Sequence, residues 1–215
     1  MNLGQLADPT SWDWLSILKT AFGAGLGTAG VQGGLALYKE RTRKKEHAAY
    51  LALRIAVLME AYASKCCDFY FDNANAQEPP DEPYPAWRTV LPTPPEFPDD
   101  TEAWRAMDRS LVAKCLNFSN RVHASQNTIA STIEYAMDDL GHILDEQSSA
   151  RGVEAWEIAS ALRKAYRLDR AEIIFDYHDV LQKALKNSRD EIEKRAARQA
   201  EFLQELSASD KDNPD

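Results

Sequence analysis

Apolar residues recur at helical spacing through most of this chain, and the places where that rhythm fails divide it into segments. Trp12, Leu15, Leu18 and Phe22 open the pattern behind Asp8, Pro9, Thr10 and Ser11, which offer helix-start chemistry. From Thr20 to Tyr38 no charge occurs across 19 residues. That is close to the length at which a helix rising about 1.5 Å per residue crosses a hydrocarbon core of roughly 30 Å. Between Glu46 and Asp72, Leu51, Ile55, Leu58, Tyr62, Cys66 and Phe69 form one stripe, and Ala52, Ala56, Met59, Ala63 and Tyr70 widen it. So broad an apolar face predicts a helix inside a bundle. No glycine or proline lies between Leu35 and Asp72, so one uninterrupted helix can join the two segments.

The rhythm stops over residues 73–100. Eight of the ten prolines fall between Pro79 and Pro98, which excludes helix and predicts extended, polyproline-like chain. Tyr84, Trp87, Leu91 and Phe97 punctuate the prolines and suit a strap laid against helices. Pro92-Thr93-Pro94-Pro95 matches a P-x-x-P ligand, but its flanking charges are acidic. Asp99, Asp100 and Thr101 then start a helix carrying Trp104 and Met107, with a break near 108–110 and apolar residues again from Leu111 to Phe118. A longer helix is expected over 119–147, turning Val122, Ile129, Ile133, Ala136, Leu140 and Leu144 inward, with a break at 148–152. Trp156, Ala159, Leu162 and Tyr166 mark the next helix. Ile174, Tyr177, Leu181 and Leu185 mark another that the spacing allows to be continuous with it. Beyond Ser188 the apolar positions thin to Ile192, Ala196, Leu203 and Leu206, either a solvated extension or half of a coiled coil.

The expected fold class is all-α. An N-terminal membrane-spanning or membrane-associated helix (1–38) and a basic juxtamembrane cluster (39–46) precede an antiparallel bundle of about four longer helices (47–206), crossed by the proline-rich strap and followed by a disordered acidic tail (207–215).

Charge sharpens this picture. With −1 in residues 1–38 and +3 in residues 39–46, the net −9 of the chain leaves −11 in residues 47–215. An acidic main body argues against a nucleic-acid partner, whose affinity comes chiefly from neutralised phosphates. Lys39, Arg41, Arg43, Lys44 and Lys45 crowd one end of the uncharged stretch. They predict contact with anionic lipid headgroups and, by the positive-inside bias, a cell (inner or plasma) membrane location with the N-terminus out and the main domain cytoplasmic. Trp12 and Trp14 fit an interfacial aromatic belt, and Lys19 would have to snorkel. Hydrophobicity alone is marginal: Phe22, Leu26, Val31, Leu35 and Leu37 are the strong inserting residues, and Gln32 with six glycines offsets part of their effect.

Those glycines are ordered. Gly23, Gly27, Gly30 and Gly34 share one helix face and contain two G-x-x-x-G pairs, the spacing that lets two helices pack closely in a bilayer. A homo-oligomer is therefore expected. Gly25 to Gly30 also spells G-x-G-x-x-G, but the strand, second strand and acidic residue that a dinucleotide site requires are missing.

Chemistry-bearing residues are sparse. Cys66, Cys67 and Cys115 have no metal-type spacing and read as small buried apolar groups. Of the four histidines, only His142, in Asp139-x-x-His142, approaches the Glu-x-x-His pairs of a bundle metal site. His178 lies among Glu172, Asp176 and Asp179 without that spacing, and His47 and His123 stand alone. No nucleophile elbow, P-loop or H-E-x-x-H is present. The function expected is thus non-enzymatic, with no cofactor and no metal: a membrane-tethered, self-associating interaction or regulatory protein with a further protein partner. A pore-forming effector built on the glycine face and a metal enzyme around His142 and His178 are the alternatives.

Overall fold

The computed structural model describes residues 27–81, 83–172 and 175–209, with side chains from 37 to 201 within them. Trp12, Trp14, Lys19, Gly23, Ile174 and the end of the acidic tail lie outside the described residues. Among those that are described, every regular element is helical. The chain falls into two compact units with their boundary between Glu46 and His47.

Helix α1, Gly27–Ala74, is a single run of 48 residues that belongs to both units. Twelve residues of the uncharged stretch, Gly27 to Tyr38, are part of it. No helix among the described residues is long and apolar enough to cross a membrane. The reason is composition: Gly27, Gly30, Gln32, Gly33 and Gly34 dilute the few aliphatic side chains of this part of α1.

Within the unit from His47 onward, most of the predicted stripe of α1 lies in the core. Leu51, Ile55, Tyr62, Cys66 and Phe69 are each at most 2% exposed, while Leu58 is half-buried and Met59, expected only at the stripe's edge, is fully buried. Among the described residues four further helices follow: α2 (Thr101–Ala106), α3 (Arg109–Tyr135), α4 (Leu140–Tyr166) and α5 (Tyr177–Ser209). Asp100 caps α2 by accepting from the Ala103 amide at 3.0 Å. Asp108 caps α3 by accepting from the amides of Ser110 (2.9 Å) and Leu111 (3.1 Å). Both caps satisfy amides that a helix start leaves without partners.

The expected break at 148–152 is corrected. Ser148, Ser149 and Gly152 lie inside α4 and are buried there. The chain turns instead at Ala136 and one turn of 3₁₀ helix, Met137–Asp139, which leaves Ile133 41% exposed and Ala136 exposed as well, where inward positions were expected. The two helices whose spacing allowed continuity are separate: Tyr166 ends α4 and Tyr177 begins α5. Arg167 caps α4 in the left-handed region (φ 54°, ψ 40°), and its amide closes on the carbonyls of Arg163 and Lys164.

The strap explains the topology. Tyr62 packs edge-on against Phe118 at 5.1 Å, and Phe69 shares a smaller core with Ile129, so α1 and α3 run in the same direction. The expectation of a uniformly antiparallel bundle fails here, because parallel neighbours need a crossover. The prolines supply it. Asn73 exchanges two hydrogen bonds with the Arg88 backbone, at 2.7 and 3.0 Å. Gln126 accepts from Leu91 N and donates to Thr89 O, both at 2.9 Å, and Trp104 Nε1 donates to Pro98 O at 2.9 Å. Extended chain at about 3.1 Å per residue from Arg88 to Pro98 covers roughly 30 Å, enough to return beside α1. Helix α4 is antiparallel to its neighbours: Glu154 meets Arg121 of α3, while Glu146 and Asp139 meet Arg189 and Arg195 of α5.

Beside the smaller core, burial pushes the carboxyl of Asp145 up to about 6, with Tyr70 as its neighbour. The ordinary value is 3.8. The native state therefore binds more proton than the unfolded chain between roughly pH 4 and 6, and stability from this group falls as pH rises through that window. Asp145→Asn is expected to raise stability at pH 7 by about 1–3 kcal/mol and to change it little at pH 4. Urea midpoints of both proteins at the two pH values measure this, and equal gains at both would contradict it.

Candidate functional site

Lys39, Arg41, Arg43, Lys44 and Lys45 all lie on α1 and are all exposed. Helical residues advance by about 100°, so Lys39 and Arg43 point to one side, and Arg41, Lys44 and Lys45 spread over the other. The cations thus encircle the helix rather than forming a stripe. Glu40 pairs with Arg43 at 3.3 Å and Lys44 at 3.2 Å, and those two cations hold its carboxyl below the usual range. Among the described residues Lys39, Arg41 and Lys45 make no ion pair. Leu37 and Tyr38, directly before the cluster, are 65% and 70% exposed. Of the glycine face, Gly27, Gly30 and Gly34 are in α1, where steps of three and four keep them on one side.

The remaining candidates separate. Cys66, Cys67 and Cys115 are free and buried. Burial pushes the thiol of Cys66 up to about 12 and those of Cys67 and Cys115 to about 11. All three are protonated at neutral pH and poor nucleophiles. His142 lies near Glu191 of α5, whereas His178 stacks on Trp156 at 6.0 Å between ring centroids. Fourteen residues of α4 separate His142 from Trp156, about 21 Å of helix. Among the described residues no group of three or more His, Cys, Asp or Glu side chains is placed to hold a metal ion.

Two charged groups inside the bundle have no counterpart in the motif reading. Glu154 is held by Arg121 of α3, at 2.5 Å, and by Arg151 on its own helix. The Tyr62 hydroxyl and the Cys66 thiol lie beside this triad, and burial raises the proton affinity of that hydroxyl. About two and a half turns further along α4, Arg163 grips Glu60 of α1 through two hydrogen bonds, at 2.6 and 2.8 Å, with both side chains about 15% exposed. Their only sequence signal is a charge at a core-facing register, as with Glu60 one residue after Met59.

The chain matches no family model, no curated protein and no solved structure.

Proposed function

We propose that this chain is a non-enzymatic helical interaction protein that α1 holds at an anionic membrane, with the bundle from His47 onward as its aqueous part. The observation that carries this reading is the ring of exposed cations directly following the uncharged, glycine-rich stretch. A helix lying flat on a membrane keeps its charges on one face. Cations on opposite sides suit a helix that enters the headgroup layer steeply, as an anchor with its N-terminus out and its bundle in the cytoplasm would. The face of Gly27, Gly30 and Gly34 supports self-association by close helix packing.

Vesicle sedimentation of the full chain tests the reading. Binding to phosphatidylglycerol-containing vesicles is expected, and reversal of the three unpaired cations (Lys39→Glu, Arg41→Glu and Lys45→Glu together) is expected to weaken it about 100-fold, at roughly 1 kcal/mol per residue. Protein that stays in the supernatant with anionic vesicles would refute the membrane reading. Retention after alkaline carbonate washing separates an inserted helix from one held only by charge. In the same preparation Gly27→Leu with Gly30→Leu is expected to abolish cross-linked oligomers while leaving vesicle binding intact. Unchanged cross-linking would remove the self-association.

A further inference from the structure

We infer that the bundle carries a binding site for a soluble phosphate ester with a planar ring, of mononucleotide size, at the C-terminal end of α4. This site is independent of the membrane reading. A cavity of about 780 Å³ opens there, lined by Trp156, Ser160, Lys164, Arg167 and Arg170 together with the Glu60–Arg163 pair. Four cations face one carboxylate, and Glu60 already makes two hydrogen bonds to Arg163. Lys164, Arg167 and Arg170 make no ion pair among the described residues. They are exposed and stand in a segment of the chain that is otherwise acidic.

Helix C-termini attract cations in any case, which would account for Lys164 in the last turn. It does not account for Arg167. That residue is the left-handed cap, at φ 54°, where glycine is the default because a side chain costs about 1 kcal/mol. An arginine there is strained for the fold and useful for an anion. Arg163 also donates to the Asp169 carbonyl at 2.6 Å, tying the loop that carries Arg167 and Arg170 to α4. Trp156 provides an apolar wall for a ring, with His178 stacked on it at an interplanar angle of 24°. Planar, forked guanidinium groups suit phosphate oxygens, and an aromatic wall suits a base.

Calorimetry on the full chain, with adenosine and guanosine mono- and triphosphates and with inorganic pyrophosphate, tests the assignment. Saturable binding that weakens with salt is expected. Arg167→Gly is expected to weaken it about tenfold, the worth of one charge-assisted contact, without lowering Tm. Trp156→Leu is expected to weaken nucleotide binding and spare pyrophosphate. No saturation by about 1 mM of any probe, or affinity unchanged in Arg167→Gly, would overturn the site. Equal loss of nucleotide and pyrophosphate binding in Trp156→Leu would overturn the assignment of a ring.

Discussion

Gly152→Leu is expected to abolish cooperative unfolding of the bundle. A side-chain carbon at this position would stand 2.6 Å from Leu181 Cδ1 and 2.9 Å from Cys66 Cβ. The Leu181 methyl ends a side chain that can turn aside. The Cys66 Cβ is fixed to the backbone of α1, and Cys66 is fully buried. The axes of α1, α4 and α5 must therefore separate to admit anything larger than hydrogen. For alanine, an overpacking cost of about 1–3 kcal/mol is partly offset by the roughly 1 kcal/mol that helix propensity returns. Gly152→Ala should thus lose a few degrees of Tm, at about 2–4 °C per kcal/mol for a domain of this size. Leucine adds three more carbons to the same space, and a loss above about 4 kcal/mol is expected. Thermal melts with near-ultraviolet circular dichroism measure it. A Gly152→Leu protein that melts cooperatively within a few degrees of the parent would show that α4 does not rest on α1 and α5 as described.

The same glycine shows why part of the fold was legible and part was not. Spacing identified most of the core stripe of α1, the prolines identified the strap, and the short carboxylates at 99–100 marked the start of α2, because those signals are local; of Asp108 only the break around it was legible, not its role as the cap of α3. It misplaced the break between α3 and α4. Ser148, Ser149 and Gly152 have the composition of a turn, and only the tertiary structure reveals that all three are buried and that two helices approach Gly152. The actual turn at 136–139 contains neither glycine nor proline. The parallel course of α1 and α3 was equally out of reach, since the proline content implies an extended segment but not the end of the bundle to which it returns.

Legibility of the candidate sites divides in the same way. The basic cluster is contiguous, so Lys39 to Lys45 could be named from the sequence, and the structure adds that its cations encircle α1. The Glu60–Arg163 pair joins positions 103 apart in the chain. The cavity next to it combines Trp156 with residues of the loop after α4, for which the spacing left helix and break both open. No spacing rule connects such positions, because their neighbourhood exists only once α4 lies antiparallel to α1.

That pair is where the second large effect is expected. Glu60 and Arg163 are 15% and 14% exposed, so removing one partner leaves the other charge largely desolvated, at a cost of about 3–5 kcal/mol in comparable cases. The two single substitutions are not equivalent here. Glu60→Leu leaves Arg163 with only its bond to the Asp169 carbonyl, in a cavity that also contains Lys164, Arg167 and Arg170, so repulsion adds to desolvation and about 3–5 kcal/mol is expected. Arg163→Leu leaves a carboxylate facing those three cations, which partly replace the lost partner, and about 1–3 kcal/mol is expected. The double variant with leucine at both positions should be more stable than Glu60→Leu alone, since it strands neither charge. Urea denaturation of the four proteins completes the cycle. Strict additivity would mean that the two side chains do not share their charge. Pyrophosphate separates electrostatics from packing: if the cavity accepts anions, it should raise the Tm of Glu60→Leu by more than that of the parent, because the anion then also neutralises Arg163.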